Sequence, residues 1–223
     1  MTTAVVIPAR LDSTRFPNKM LAELNGVPLI KCVYEKCKQS GLSTYVVTPD
    51  EKIKDVIGEN TILVGDAENG TERCALASEY INYSNFINVQ GDMPDITPDI
   101  INKVMNGLEN YDVVTAYSKM PKCLRNDPNS VKIIHNGKTA KWFGRGITGY
   151  GDHHLGIYGY KNYILENYTN LKIYPEENIE RLEQLRWIQN DVKLGVVEVE
   201  FNGIEINTEE DLNKWQEQNR YHQ

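Results

Sequence analysis

The first half of the chain alternates short apolar runs with stretches of helical spacing, and this alternation restricts the fold more than any other sequence feature. Apolar runs predict strands at 4–7, 44–48, 61–64 and 86–90. Apolar spacing, proline and glycine predict helices at 28–41, 50–58 and 70–83 and from 98 onward. Parallel strands need such crossover helices, so we expect an α/β fold with a mainly parallel sheet and flanking helices.

The second half has a different rhythm, with more strands and fewer helices between them. Apolar runs predict strands at 113–117, 131–135, 139–143, 155–160 and 194–199. An Asn136-Gly137 turn between two of these runs indicates a hairpin. Helices are predicted at 161–168, at 178–190 and from Thr208. A length of 223 residues suits a single domain, here one with a smaller β-rich section.

Charge and cysteine usage argue against several classes of function. The formal net charge is −7, whereas proteins that bind nucleic acid normally present a basic face. The four cysteines (Cys32, Cys37, Cys74 and Cys123) lack the paired spacing of a zinc site. No leader-like segment follows Met1, and no apolar run approaches the roughly 18 residues that a membrane span needs. We therefore expect a cytoplasmic protein with neither nucleic acid nor a membrane as its partner.

A loop with three cations follows the first predicted strand, which Pro8 ends because proline cannot donate to a sheet. The cations are Arg10, Arg15 and Lys19, with Ser13 between them. Open α/β sheets bind ligands at the carboxyl ends of their parallel strands. Gathered positive donors at such a place favour a polyphosphate ligand. An ordinary solvated surface loop is the alternative.

The tripeptide Gln90-Gly91-Asp92 ends the fourth predicted strand and belongs to the same edge of the sheet. A carboxylate at that position can hold a hard divalent cation against a nucleotide phosphate, because Mg²⁺ takes one or two carboxylates plus phosphate oxygens and waters. The alternative is an aspartate that simply ends a strand in a turn.

The stretch from Pro8 to Lys19 resembles the opening signature of sugar nucleotidyltransferases, P-x-R-x-x-S-x-R-[LF]-P-x-K. Later stretches narrow the resemblance to the 3-deoxy-manno-octulosonate (KDO) cytidylyltransferase family, or CMP-KDO synthetases: Gly70-Thr71-Glu72-Arg73, Asn88-Val89-Gln90-Gly91-Asp92, His154–Tyr160 and Leu182-Glu183-Gln184-Leu185-Arg186. They occur in the family's order over most of the chain. The resemblance implies a glycosyltransferase-A-like nucleotidyltransferase fold, with a nucleotide-binding part at about 1–110 and a sugar-binding and dimerisation part at about 111–200.

The resemblance also implies an activity, which is Mg²⁺-dependent transfer of CMP from CTP to a 3-deoxy-2-ulosonic acid such as KDO. It implies catalytic roles for Arg10, Lys19 and Asp92, and metal ligation by Asp92 and Asn207. The implied nucleotide-binding residues are Pro8, Ala9, Arg10, Ser13, Arg15, Lys19, Gly70, Thr71 and Arg73. The implied sugar-binding residues are Gln90, Arg145, His154, Tyr158 and Gln184. A homodimer and a role in lipopolysaccharide or capsule precursor supply are further implications.

Several of these residues also have ordinary structural interpretations. Gly70 and Thr71 begin a predicted helix, whose free N–H groups can meet an anion or the polar edge of a base. His154 and Tyr158 lie four residues apart on one strand and therefore on one face, where a hydrogen-bonded core histidine and a half-buried tyrosine are equally ordinary. On the helix predicted at 178–190, Glu183 and Arg186 are expected to be surface or ion-pairing residues. His153 is expected to be exposed.

The chain departs from the family pattern at three places. Met93 stands where the family has glutamate, Asn207 stands where it has the second metal-binding aspartate, and the segment 146–153 is short. An amide oxygen lacks negative charge and should bind Mg²⁺ more weakly. Three alternatives stay open at this point: another acidic sugar as acceptor, a nucleotidyltransferase that uses a sugar 1-phosphate, and a weak relative that binds a nucleotide or a partner protein.

Overall fold

The computed structural model describes residues 2–13 and 15–219. Within these residues one nine-stranded sheet and one small hairpin account for the strands. The strands are β1 Thr3–Pro8, β2 Glu23–Leu24, β3 Val27–Pro28, β4 Ser43–Thr48, β5 Thr61–Leu63, β6 Asn85–Asn88, β7 Val113–Ser118, β8 Lys132–His135, β9 Ala140–Gly144, β10 Asp152–Lys161 and β11 Leu194–Glu198. The small hairpin is formed by β2 and β3.

The sheet has the strand order β5-β4-β1-β6-β10-β7-β11, and β8 and β9 extend it from the start of β10. Strands β5, β4, β1 and β6 pair in parallel, as the alternation in the sequence predicts. Strand β10 is antiparallel to both of its neighbours, β6 and β7. Because of that reversal, the beginning of β10 lies at the same edge as the carboxyl ends of β1 and β6. The sheet is therefore mixed but mostly parallel, and the predicted α/β fold is confirmed.

Eight α-helices flank the sheet in the described residues. They are α1 Leu29–Lys38, α2 Glu51–Ile57, α3 Gly70–Ser78, α4 Pro98–Gly107, α5 Asn162–Leu165, α6 Pro175–Glu180, α7 Leu185–Gln189 and α8 Glu209–Gln218. Side chains cap three of these helices. Asn69 accepts from the N–H of Glu72 at the start of α3, Thr97 caps α4, and Thr208 forms a reciprocal capping box with Asp211 at α8. No helix in this part of the chain is long and apolar enough to cross a membrane.

Hydrophobic side chains fill both faces of the sheet, as the two-residue period of a strand requires. On β1, Val5 and Ile7 face a cluster that includes helices α1, α2 and α4. Ala4 and Val6 face a second cluster that includes α3 and α7 and is rich in aromatic side chains. With both faces covered, binding groups are left to the edge where the strands end.

Two predicted helices differ more than the others from the structure. Helix α3 ends at Ser78 rather than Tyr83, and the helix expected at 178–190 is two short helices, α6 and α7. Arg181 ends α6 in the left-handed conformation, with φ of 54°. Side-chain spacing alone does not reveal such a break, because the apolar residues on either side still bury themselves in one cluster. The break places Glu183 and Gln184 on a turn, pointing towards the sheet edge.

Candidate active site

Two adjoining cavities lie at the edge where β1 and β6 end and β10 begins. The large cavity, of about 530 Å³, is bounded by the loop after β1, the beginning of α3 and the segment after β6. The small cavity, of about 200 Å³, is bounded by β10, the α6–α7 turn and the segment after β11. Both are lined by Arg15, Gln90, Asp92, Arg181, Glu183 and Asn207. The shared wall brings residues from both halves of the chain to one place.

The cationic loop after β1 forms one side of the large cavity, and Pro8, Ala9, Arg10, Ser13, Arg15 and Lys19 all line it. Lys19 is buried, and its Nζ lies 2.6 Å from Asp92 Oδ2. The Nη2 of Arg15 donates to Asn207 Oδ1 at 3.2 Å. These two contacts join the loop to Asp92 and to Asn207, which are the residues predicted to hold a metal.

Arg73 faces the same cavity from helix α3 and is buried. Its Nη1 has no hydrogen-bond partner among the described residues. Burial lowers the pKa of Arg73, and the nearby positive charge of Arg10 lowers it further. A buried guanidinium without a partner for one nitrogen is costly unless a ligand supplies the acceptor. The large cavity is therefore suited to an anion or to the acceptor atoms of a base.

The first turn of α3 differs from expectation, because a side chain of the protein already occupies it. Glu183 accepts from the N–H of Gly70 at 2.9 Å, the N–H of Thr71 at 3.0 Å and the Thr71 hydroxyl at 2.7 Å. The Thr71 hydroxyl also contacts the hydroxyl of Tyr160, and Thr71 is fully buried behind the cavity wall. These two N–H groups are therefore not free for a ligand, although Gly70 itself lines the large cavity.

Glu183 also differs from the expectation that it lies at the surface or in an ion pair, because its carboxylate accepts these hydrogen bonds from α3. Burial raises the pKa of its carboxyl group, and the three hydrogen bonds oppose that rise. Arg186 is buried as well, and it pairs with Glu177 through its Nε and Nη2, at 3.0 and 2.6 Å. An ion pair was expected there, but not its burial. Both side chains turn inwards because α6 and α7 pack against the sheet.

The small cavity brings together the side chains predicted to bind the sugar: Gln90, Arg145, His154, Tyr158 and Gln184 all line it. Arg145 is held by the backbone, since its Nη1 donates to the carbonyl of Asn129 at 2.7 Å and its Nε to that of Glu180 at 3.3 Å. Gln184 is buried, and its Nε2 has no partner within the described part of the chain. The cavity thus offers a fixed cation and a free amide donor.

His154 is a buried neutral histidine. Its Nε2 lies 2.9 Å from the Thr115 hydroxyl, and its ring centroid lies 5.5 Å from that of Tyr158. Burial lowers the pKa of His154 to about 3, with further contributions from His153 and Arg145. The expectation that His153 is exposed is wrong, because β10 pairs there with both β7 and β8 and buries it.

Several lining residues were not singled out from the sequence. Glu205 lines the small cavity beside Asp92, and burial, followed by the charge of Asp92, raises its pKa to about 7. A signal for it exists, since Glu205 and Asn207 flank a fully buried Ile206 and so share one side of the chain. Arg181 lines both cavities, and nothing in the sequence indicates it.

Asp92 and Asn207 both line the wall that the two cavities share. Across residues 2–13 and 15–219, no group of three or more His, Cys, Asp or Glu side chains is arranged as a metal site. A carboxylate and an amide oxygen are the hard donors that Mg²⁺ prefers, and phosphate oxygens and waters normally complete its shell. The donor set therefore fits Mg²⁺. Met93, the other departure from the family pattern, is fully buried in the core and lines neither cavity.

Comparisons with known proteins agree with this geometry. A family model for cytidylyltransferases matches residues 4–194. The 3-deoxy-manno-octulosonate cytidylyltransferases of Bartonella henselae and Rickettsia rickettsii are 36% and 37% identical to this chain, over 94% and 95% of it and 95% and 94% of their own lengths. A solved structure of CMP:2-keto-3-deoxy-manno-octonic acid synthetase complexed with CTP superimposes with a TM-score of 0.92 at 28% identity, covering 100% of both chains.

The fold and the two joined cavities define a nucleotidyltransferase. The inositol-1-phosphate CTP transferase of T. maritima is similar to the chain in fold, with a TM-score of 0.72 at 16% identity. By its match to the family and to these relatives, the chain belongs to the cytidylyltransferase family.

Proposed function

We propose that this protein transfers CMP from CTP to KDO, which yields CMP-KDO and pyrophosphate. The observation that carries the proposal is the shared wall: Asp92 and Asn207 stand between a cavity with a buried guanidinium that has an unpaired nitrogen and a cavity with a fixed guanidinium. A reaction between a polyphosphate and an acidic sugar needs both cations, and it needs its reacting atoms at the junction. The names of the relatives, at 36–37% identity, support the same reaction.

At the nucleotide end, Arg10, Arg15 and Lys19 neutralise the triphosphate, and Arg73 supplies a further donor. Lys19 is the cation nearest Asp92, so it follows the negative charge that develops on the leaving pyrophosphate. The backbone at Pro8 and Ala9 lies where the cytosine ring enters, beside Ser13 and Gly70 on the cavity wall.

At the sugar end, Arg145 pairs with the carboxylate of the sugar acid. Neutral His154, the Tyr158 hydroxyl, Gln90 and the free amide of Gln184 orient its hydroxyl groups. Because these groups sit on a paired strand and on a turn pinned by hydrogen bonds, the sugar is held with little loss of side-chain freedom.

In the reaction, the anomeric hydroxyl oxygen attacks the α-phosphorus of CTP. The bond from that phosphorus to the bridging oxygen breaks, pyrophosphate leaves with the electron pair, and the hydroxyl proton passes to solvent. Catalysis of this kind consists mainly of in-line positioning and charge stabilisation. Asp92 and Asn207 would hold Mg²⁺, which when bound supplies positive charge to the phosphate oxygens. The implied homodimer and cytoplasmic location stay predictions.

The experiment that tests the proposal measures pyrophosphate release with CTP and Mg²⁺. KDO, its 8-amino analogue and N-acetylneuraminate are offered separately, and UTP and ATP replace CTP in control reactions. We expect release with KDO and CTP, and no release with UTP or ATP. If pyrophosphate is released with only one of the other two acids, that acid rather than KDO is the acceptor. Absence of CTP binding would exclude the proposed function altogether.

A further inference from the structure

We propose that Glu205 supplies, together with Asp92, the negative charge of the divalent-cation site at the junction of the two cavities. This inference rests on the proposed function, because it concerns the ion that accompanies the nucleotide. It adds a protein ligand that neither the sequence pattern nor the homologues' names identify.

The backbone brings Glu205 to the predicted metal ligands. The N–H of Ile206 donates to the carbonyl oxygen of Asp92 at 2.9 Å, so the two segments are joined at this point. Ile206 is fully buried in the core, and its neighbours on both sides line the small cavity, where Asp92 lies too. Three oxygen-bearing side chains, those of Asp92, Glu205 and Asn207, therefore share one cavity wall.

The Glu205 carboxylate has no hydrogen-bond or ion-pair partner among the described residues. The residue is half-buried, and it lines the small cavity. Among the described residues nothing donates a hydrogen bond to it, and no cation lies within ion-pair distance. The nearby cations are engaged elsewhere, since Lys19 pairs with Asp92, Arg15 donates to Asn207 and Arg145 donates to backbone carbonyls.

Two carboxylates on one cavity wall disfavour each other's ionised form, and Glu205 and Asp92 are such a pair. A divalent cation offsets both charges at once and accepts oxygen ligands in this number. Asn207 can offer only a neutral oxygen, and Asp92 is already partly neutralised by Lys19, so Glu205 is the remaining source of charge for the ion. A role in which Glu205 instead binds a sugar hydroxyl predicts no change in metal affinity.

The test measures Mn²⁺ binding directly, by the loss of the electron paramagnetic resonance signal of free Mn²⁺ during a titration of protein with CTP. A titration of CTP alone gives the background. We expect Glu205→Gln to weaken Mn²⁺ binding to the protein–CTP complex by about tenfold or more. The double variant Glu205→Gln/Asn207→Asp should recover most of that loss, because it returns a carboxylate to the same wall. Glu200→Gln removes an exposed carboxylate outside both cavities and should bind like the wild type.

The outcomes separate the two claims. CTP affinity without metal and the thermal unfolding midpoint should not fall in Glu205→Gln, since the replacement removes only an unpaired charge. Wild-type affinity for Mn²⁺ in Glu205→Gln would overturn the inference and leave the proposed function standing. A wild-type protein that binds CTP but no Mn²⁺ beyond the background would overturn both the inference and the metal-dependent part of the proposed function.

Discussion

Lys19 Nζ and Asp92 Oδ2 are 2.6 Å apart, and this contact joins the loop after the first strand to the segment after β6. The two residues are 73 positions apart in the chain. Their pairing fixes a buried ammonium at the junction of the cavities while the other carboxylate oxygen stays available. The pair holds the reacting region together before any substrate enters.

We therefore predict that Asp92→Asn lowers kcat for CMP transfer by about a hundredfold or more, since it removes charge where the transition state needs it. The replacement keeps the size of the side chain but leaves the buried Lys19 ammonium without its carboxylate, so the protein should also unfold at a lower temperature. Steady-state kinetics with saturating CTP measures the change, and Asp55→Asn, on the exposed side of α2, is the control. Turnover within about threefold of wild type would remove Asp92 from the catalytic groups.

Glu183 ties the α6–α7 turn to the first turn of α3 by three hydrogen bonds. Glu183→Gln has only one oxygen to offer, so an N–H of Gly70 or Thr71 loses its acceptor. We predict a fall of about 1–3 kcal/mol in the free energy of unfolding, measured by urea denaturation. Glu79→Gln, at an exposed position just after α3, should change it by less than about 0.5 kcal/mol. Equal stability of the two variants would mean that the three contacts contribute nothing.

Lys132 is fully buried, and its ammonium donates to the carbonyls of Asp127, Ser130 and Arg145. It therefore positions one wall of the small cavity without lining it. We predict that Lys132→Met lowers kcat/KM for the sugar acid about ten- to a hundredfold and leaves the affinity for CTP unchanged. Lys141→Met, on the exposed face of β9, is the matched control. A parallel loss of sugar and CTP affinity would point to general unfolding instead.

We predict that buried His154 makes the stability of the folded protein decrease in acid. Its pKa is about 3 in the folded protein, below the ordinary value of 6.5. Between these two pH values the unfolded chain binds a proton that the folded protein does not, so stability falls as the pH is lowered. The slope from this group is at most about 1.4 kcal/mol per pH unit. Stability curves of wild type and His154→Gln should therefore converge as the pH falls from 6.5 towards 3, and parallel curves would contradict the buried neutral state.

Much of the fold and of the cavity wall follows from local sequence. The runs at 4–7 and 86–90 predict two strands of a mainly parallel sheet, and in the structure β1 and β6 pair with each other in parallel. Because β1 and β6 both end at one edge, the residues after them were expected to meet, and Lys19 and Asp92 do so. Local rules succeed here since strand direction and strand ends determine where these side chains lie.

Other features depend on contacts that a single sequence does not display. The left-handed Arg181 ends α6 within an unbroken pattern of apolar spacing. Glu183 takes the N–H groups of α3 only because the resulting turn reaches across the sheet edge. His153 is buried because β8 pairs beside it, which is a property of the strand order rather than of the residue. In each case a tertiary contact overrode a sound local expectation.

We propose that the two cavities bring an acidic sugar to the α-phosphorus of CTP, and ³¹P nuclear magnetic resonance of one reaction mixture tests this most directly. Protein, CTP, Mg²⁺ and KDO should give a new phosphodiester resonance of a CMP-sugar together with one equivalent of pyrophosphate. The Asp92→Asn protein should give both signals far more slowly. An unchanged CTP spectrum, or pyrophosphate accompanied by free CMP without the phosphodiester signal even at early times, would contradict the account.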